Sequence, residues 1–154
     1  MTLVRRLARP LLSSIFIAGG VDSLRSPGPK VASAQDVAPP IAAHIPGLPA
    51  DDTEQLIRIN TAVQVGAGAL LALGKFPRLS ALALAATLVP TTAAGHRFWE
   101  ETDPATRSAQ QIHFLKNVSL LGGLLIAAVD LEGRPGLAYR ASSARRTAAR
   151  KLPG

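Results

Sequence analysis

The 154-residue sequence contains no cysteine. It can therefore form no disulfide, offer no thiolate nucleophile and build no thiolate metal site. Any thiol redox chemistry belongs to a partner. Aromatic residues are scarce at 4%, while apolar residues reach 47%. The apolar mass is Ala, Leu, Val, Ile and Gly, a mixture with little ring surface for a water-soluble core. Charged residues make up 18% and stand between the apolar runs rather than within them, so the net charge of +7 is no sign of a nucleic-acid partner. A Gly-rich phosphate loop, HExxH, a nucleophile elbow and paired cysteines are all missing. Catalysis of the soluble type has no support, and the chain is expected not to be catalytic on its own.

What is present is a series of apolar runs. Ile57 to Leu73 carries Arg58, Asn60 and Gln64 early and then nothing but apolar residues and glycine. Leu79 to Ala94 has only Ser80, Thr87, Thr91 and Thr92 as polar groups, with Pro90 near its end, a residue that membrane helices tolerate. Val118 to Val129 reaches the ~20 residues that a ~30 Å hydrocarbon layer requires if Ile112 to Asn117 form its first turns. Leu11 to Val21 spans if Leu3 to Pro10 continue the helix while Arg5, Arg6 and Arg9 snorkel to the interface. The sequence predicts an all-α fold, an antiparallel four-helix transmembrane bundle. Its helices run at about 3–24, 56–74, 78–95 and 110–130, an outer loop covers 25–55, and residues 1–133 form the membrane domain. Residues 134–154 make a basic tail.

Two rival readings are weaker. RRLAR before an apolar stretch and the small residues Ala32-Ser33-Ala34 resemble a cleavable leader, but Asp22, Arg25, Pro27, Pro29 and Lys30 intervene. A soluble bundle requires a charged stripe on each helix, and Leu79 to Ala94 has none.

Orientation follows from the cations. Arg5, Arg6, Arg9, Lys75, Arg78, Arg134, Arg140, Arg145, Arg146, Arg150 and Lys151 fall on one side of four crossings, and Arg25, Lys30, Arg58, Arg97, Arg107 and Lys116 on the other. The richer side, with both termini, is expected in the cytoplasm. Ser26 to Pro49 is proline-rich and reads as an extended outer loop, with a short helix opened by Asp51 or Asp52 as an option. The tail suits anionic lipid.

Polar groups at the membrane edge are expensive in lipid and become the site candidates. Asp22 and Arg25 are expected to form a local pair, or to reach Glu54 or Arg58. Arg58, Asn60 and Gln64 open the second helix, and Asn60 and Gln64 share a face suited to hydrogen bonding between helices. In GHRFWEE, Gly95 to Glu101, Trp99 and Phe98 suit the lipid headgroups, with Arg97 and the glutamates in water. His96 and His113 fall at the same membrane edge, where antiparallel helices can bring them together. His113, Lys116 and Asn117 share a helical face. Two histidines without a committed carboxylate are a poor metal set, so no metal is expected. Contact with a proton or a quinone ring fits a neutral imidazole beside aromatic rings.

Three stretches resemble the DoxX family of small bacterial membrane proteins. RLARPLLSSIFIAGGVDSLRSP, Arg6 to Pro27, is similar to the family's opening helix. GAGALLALGKFPRLSALALAA, Gly66 to Ala86, is similar to its second and third helices with their short basic turn, and HFLKNVSLLGGLLIAA, His113 to Ala128, to its last. The resemblance implies a multi-pass protein of the bacterial inner membrane, associated in some relatives with quinone-coupled thiosulfate oxidation or with assemblies joining a sulfurtransferase to superoxide dismutase. With no cysteine to carry a persulfide, direct sulfur transfer is not expected here. An accessory or scaffold subunit of a redox assembly is, with membrane lipid and peripheral redox enzymes as partners and an oligomer or hetero-complex as its form. The alternatives are a small-molecule or quinone site at the outer helix ends, formed by His96, Trp99, His113, Asn117, Arg58, Asn60 and Gln64, and a purely structural bundle.

Overall fold

The computed structural model describes residues 3–130; the basic tail at 134–154 lies outside the described residues. Among these the chain is helical throughout, with no strand: α1 Leu3–Arg25, α2 Gly28–Ala34, α3 Ala38–Ala42, α4 Thr53–Ala72, α5 Pro77–Gly95 and α6 Pro104–Val129.

Local signals set where the long helices begin and end. Asp52 caps α4 by accepting the Gln55 N–H at 2.9 Å, so α4 begins three residues before the expected 56. Asp103 accepts the Thr106 N–H at 2.8 Å and Pro104 occupies the first turn. These extend α6 to a start well before the expected 110. After α4 the Lys75 N–H returns to the Leu70 carbonyl and the Gly74 N–H to that of Leu71, with Gly74 at φ 69°. This is a Schellman ending, which favours glycine because the left-handed backbone penalises a Cβ. Phe76, also left-handed at φ 49°, precedes Pro77, whose ring disfavours the right-handed helical region for its neighbour.

The expected extended loop at 25–55 holds two short helices instead. Their prolines lie in or beside the first turn, where a missing N–H costs nothing because that group has no partner within a helix. α2 packs on α4 and α5, and α3 packs on α4. Lys30 of α2 reaches back to Ser23 of α1.

The long helices meet in the order α1, α4, α5, α6, and each contact runs in opposite directions. A Cβ on Gly20 would lie 2.6 Å from Val65, and one on Gly68 3.0 Å from Ile17, so α1 and α4 approach closely over glycine. Asn60 and Gln64 near the start of α4 reach Thr91 near the end of α5. Arg78 at the start of α5 donates to the Ala128 carbonyl at the end of α6. Arg5 and Asp130 bring the start of α1 to the end of α6.

Leucine and alanine fill the centre, with Leu71, Leu84 and Leu124 fully buried and Phe16, Ala81 and Leu88 packed beside them. Large aliphatic side chains point outward: Leu11 is 74% exposed and Ile126 72%. A small-residue interior with an aliphatic exterior is costly in water and suits hydrocarbon. By length and composition α1 and α6 are long and apolar enough to cross a membrane. α4 and α5 fall short of that measure; α4 carries Glu54, Arg58, Asn60 and Gln64, and α5 carries Arg78 and Pro90.

One expectation for the first helix is corrected. Arg9 does not snorkel outward: its side chain is 6% exposed and lies 3.8 Å from Asp130, beside the Arg5–Asp130 contacts of 2.7 and 2.9 Å. A carboxylate 125 residues beyond Arg5 offsets the cost of burying the guanidinium, which an isolated charge could not sustain.

Candidate functional site at the histidine end

α5 ends at Gly95, and His96 caps it with a backbone N–H to the Thr92 carbonyl at 3.0 Å. The following turn carries the chain back into α6, whose third turn lies against the end of α5. His96 and His113 are thereby stacked, with ring centroids 5.2 Å apart and planes 20° from parallel.

Hydrogen bonds decide which ring nitrogens hold protons. His113 Nδ1 lies 3.3 Å from Lys116 Nζ, and an ammonium can only donate, so Nδ1 accepts and the ring proton sits on Nε2. His96 Nδ1 lies 2.7 Å from Gln110 Oε1; the carbonyl oxygen accepts and the proton sits on Nδ1, so in the neutral ring Nε2 is the acceptor. The stack thus offers one N–H donor and one nitrogen acceptor, each held in its tautomer from behind. His96 is half-buried and His113 exposed, so the pair is open on one side.

Beside it in the chain Phe98, Trp99 and Phe114 form an edge-to-face triad with centroids 5.2, 5.4 and 6.0 Å apart. Trp99 is 54% exposed. Arg97 is not simply in water: it donates to the Ala93 carbonyl, meets Glu100 at 3.4 Å and approaches Asp36 at 4.0 Å. That contact ties the segment between α2 and α3 to the turn after α5.

The remaining candidates lie elsewhere in the bundle. Asn60 and Gln64 both donate to Thr91 Oγ1, at 3.2 and 3.3 Å, and Thr91 donates to the Thr87 carbonyl. Asn117, buried, donates to Thr92 Oγ1 at 3.0 Å, and Thr92 to the Leu88 carbonyl. These amides join helices and are not gathered with the histidines. Arg58 pairs with Glu54 at 2.8 Å on the surface of α4. Asp22 faces Lys30 at 3.9 Å in place of the expected partners Arg25 or Arg58, because α2 folds back over the end of α1. Sequence reasoning missed Gln110, although its spacing of three from His113 places both on one helix face. Thr91 and Thr92 as acceptors, and Phe114 as the third ring, were equally unforeseen. Among the described residues no group of three or more His, Cys, Asp or Glu is arranged to hold a metal ion.

The DoxX family model matches residues 5–97, more than half of the chain. The chain belongs to the DoxX family. The match and the apolar helices together make it a membrane protein of that family. Within this DoxX protein the matched part includes α1 to α5 and His96, whereas α6 with Gln110, His113 and Asn117 lies beyond it. No curated protein and no solved structure matches the chain.

Proposed function

We propose that this DoxX protein crosses the bacterial inner membrane four times, with both ends on the cation-rich cytoplasmic side, and serves a membrane redox assembly as an accessory subunit that receives a quinone head group at its histidine end. Four crossings are supported by the spacing of charged and ionisable groups along the helices. The charge-free stretches run from Arg9 to Asp22, Arg58 to Lys75, Arg78 to Arg97 and Lys116 to Asp130, about 20–29 Å at ~1.5 Å per residue, against the ~30 Å of a hydrocarbon layer. Lys116 can complete the last by reaching to the interface, and Arg9, which bounds the first, is turned inward to Asp130 rather than to lipid.

The stacked histidines carry the site reading. A bound quinone supplies two-electron, two-proton chemistry. This chain supplies His113 Nε2–H to donate to a ring carbonyl oxygen, His96 Nε2 to accept from a hydroxyl, and Gln110 and Lys116 to fix the two tautomers. Quinone titration of the purified protein in nanodiscs tests this. His96→Phe with His113→Phe keeps two rings and removes the nitrogens; binding is expected to weaken at least about tenfold, the effect of losing ~1.4 kcal/mol of polar contact. Unchanged binding refutes the site.

A purely scaffolding role is the second reading, favoured by the engagement of Asn60, Gln64 and Asn117 in bonds between helices. Mass spectrometry of the gently extracted assembly separates the two: a partner without quinone supports the scaffold, and retained quinone supports the site.

A further inference from the structure

The turn between α4 and α5, Leu73-Gly74-Lys75-Phe76-Pro77-Arg78-Leu79, lies at the end of the bundle where Arg5 meets Asp130 and Arg78 meets the Ala128 carbonyl. It carries three features that packing leaves unused. The first is apolar surface: Phe76 is 70% exposed, and Leu73 and Leu79 on either side of it are exposed as well. The second is charge. Lys75 and Arg78 are exposed, and among the described residues the one carboxylate at this end, Asp130, is engaged by Arg5 and Arg9. Arg78 commits its Nε to the Ala128 carbonyl, and among the described residues no ion pair holds either Arg78 or Lys75. The third is backbone. Phe76 is left-handed at φ 49° and ψ 46°, a conformation that L side chains rarely adopt and that glycine takes readily. A ring that strains its own backbone and stays outside the core has its use beyond the chain.

We propose that this turn docks on the lipid leaflet at the cation-rich face and selects anionic phospholipid. The inference rests on the membrane reading above, which sets the turn between two crossings and so at the level of the headgroups. There Phe76, Leu73 and Leu79 enter the acyl boundary, while the Lys75 ammonium and the terminal nitrogens of Arg78 face the phosphates. A zwitterionic headgroup brings a cation of its own beside these two; an anionic one does not, and the turn has no acid to repel it. Inorganic phosphate would meet the cations and leave the apolar side chains unused. A phospholipid meets both.

Fluorescence reads the contact directly, because the chain has one tryptophan, Trp99 at the other end. Phe76→Trp in a Trp99→Phe background places the reporter in the turn. It is measured in phosphatidylcholine nanodiscs holding brominated phosphatidylglycerol or, at the same fraction, brominated phosphatidylcholine. Quenching is expected to show a preference for phosphatidylglycerol of about fivefold, or ~1 kcal/mol, for each cation near the surface, and Lys75→Gln should remove its share. Trp99 in the native chain should show no such preference. Phe76→Gly is the second arm: relieved of the left-handed side chain, it is expected to melt at or above the native chain in detergent, and below it in nanodiscs containing phosphatidylglycerol. A ring that served packing alone would lower both. The proposal is overturned if both brominated lipids quench position 76 equally, if neither does because a protein covers the turn, or if Trp99 shows the same preference. It is also overturned if Phe76→Gly melts below the native chain in detergent. Release of the chain by a carbonate wash would refute the membrane reading itself and the lipid contact with it; a carbonate-resistant chain without lipid preference refutes the lipid contact alone.

Discussion

The two ends of the bundle are closed by different chemistry. At one, Arg5 and Arg9 converge on Asp130 while Arg78 bonds the Ala128 carbonyl, so full charges tie α1 and α5 to the end of α6. At the other, α5 and α6 are joined by two stacked imidazole rings, a glutamine and an aromatic triad, with no carboxylate among these contacts. Closure by charge consumes the groups that make it, because a buried guanidinium needs its carboxylate continuously. Closure by stacked imidazoles leaves a donor and an acceptor free. The charged end is therefore the structural fastening, and the histidine end is where a ligand can be met.

Exchanging the roles of the ends should show this most strongly at Asp130. Asp130→Asn removes the carboxylate charge on which Arg5 and Arg9 converge, and the expected loss is about 1–3 kcal/mol, below the usual range for a broken buried pair because Asp130 is itself partly exposed. His113→Phe, which keeps a ring over His96, should move stability by less than about 1 kcal/mol. Thermal melts in detergent compare them directly, and equal losses would erase the distinction.

Between the ends, packing alone is at stake. Gly20→Leu places a side chain where a Cβ already lies 2.6 Å from Val65 and should cost about 1–3 kcal/mol by overpacking. A Cβ added at neighbouring Gly19 would meet nothing within 4 Å, so Gly19→Leu should stay within about 0.5 kcal/mol of the native protein. The contrast fails if both variants melt alike. A smaller effect is expected nearer the histidines, where a double-mutant cycle of Asn117→Leu with Thr92→Val should return about 0.6 kcal/mol of coupling.

The smallest effect concerns acid at the start of α6. Asp103 is held below the usual carboxylate range, first by the Thr106 backbone N–H and then by its hydroxyl. Its folded value is the lower one, so its support is complete above the ordinary value near about pH 4 and fades as the pH falls through the folded value. Protection of the Thr106 amide, measured relative to its intrinsic exchange rate, should fall over that acid window. Asp103→Asn, which still caps, should abolish the pH dependence.

Much of this fold is legible because short-range rules govern it. The apolar runs locate α1, α4, α5 and α6, and the basic turn Gly74 to Arg78 separates α4 from α5. Asp51 or Asp52 reads as the opening of a helix, though a short one rather than α4 itself, and Asp103 is equally readable as the cap of α6. The prolines of residues 26–49 misled because proline breaks a helix interior but opens a first turn. What no local rule contains is pairing over distance. Nothing near Arg5 announces Asp130, and nothing near Asp22 announces that α2 will deliver Lys30. Of the site candidates, the histidines meet because adjacent antiparallel helices return to the same edge, whereas Asn60, Gln64 and Asn117 face threonines inside the bundle.

In the proposed topology α4 and α5, the two helices that fall short by length and composition, nevertheless cross the membrane and set the two ends on opposite sides. Labelling of single cysteines with a membrane-impermeant maleimide in intact cells tests it most directly, on a chain with no cysteine of its own. Ala50→Cys and Thr102→Cys should react from outside, and Lys75→Cys only after the membrane is opened. Reaction of all three positions from the same side would contradict the account.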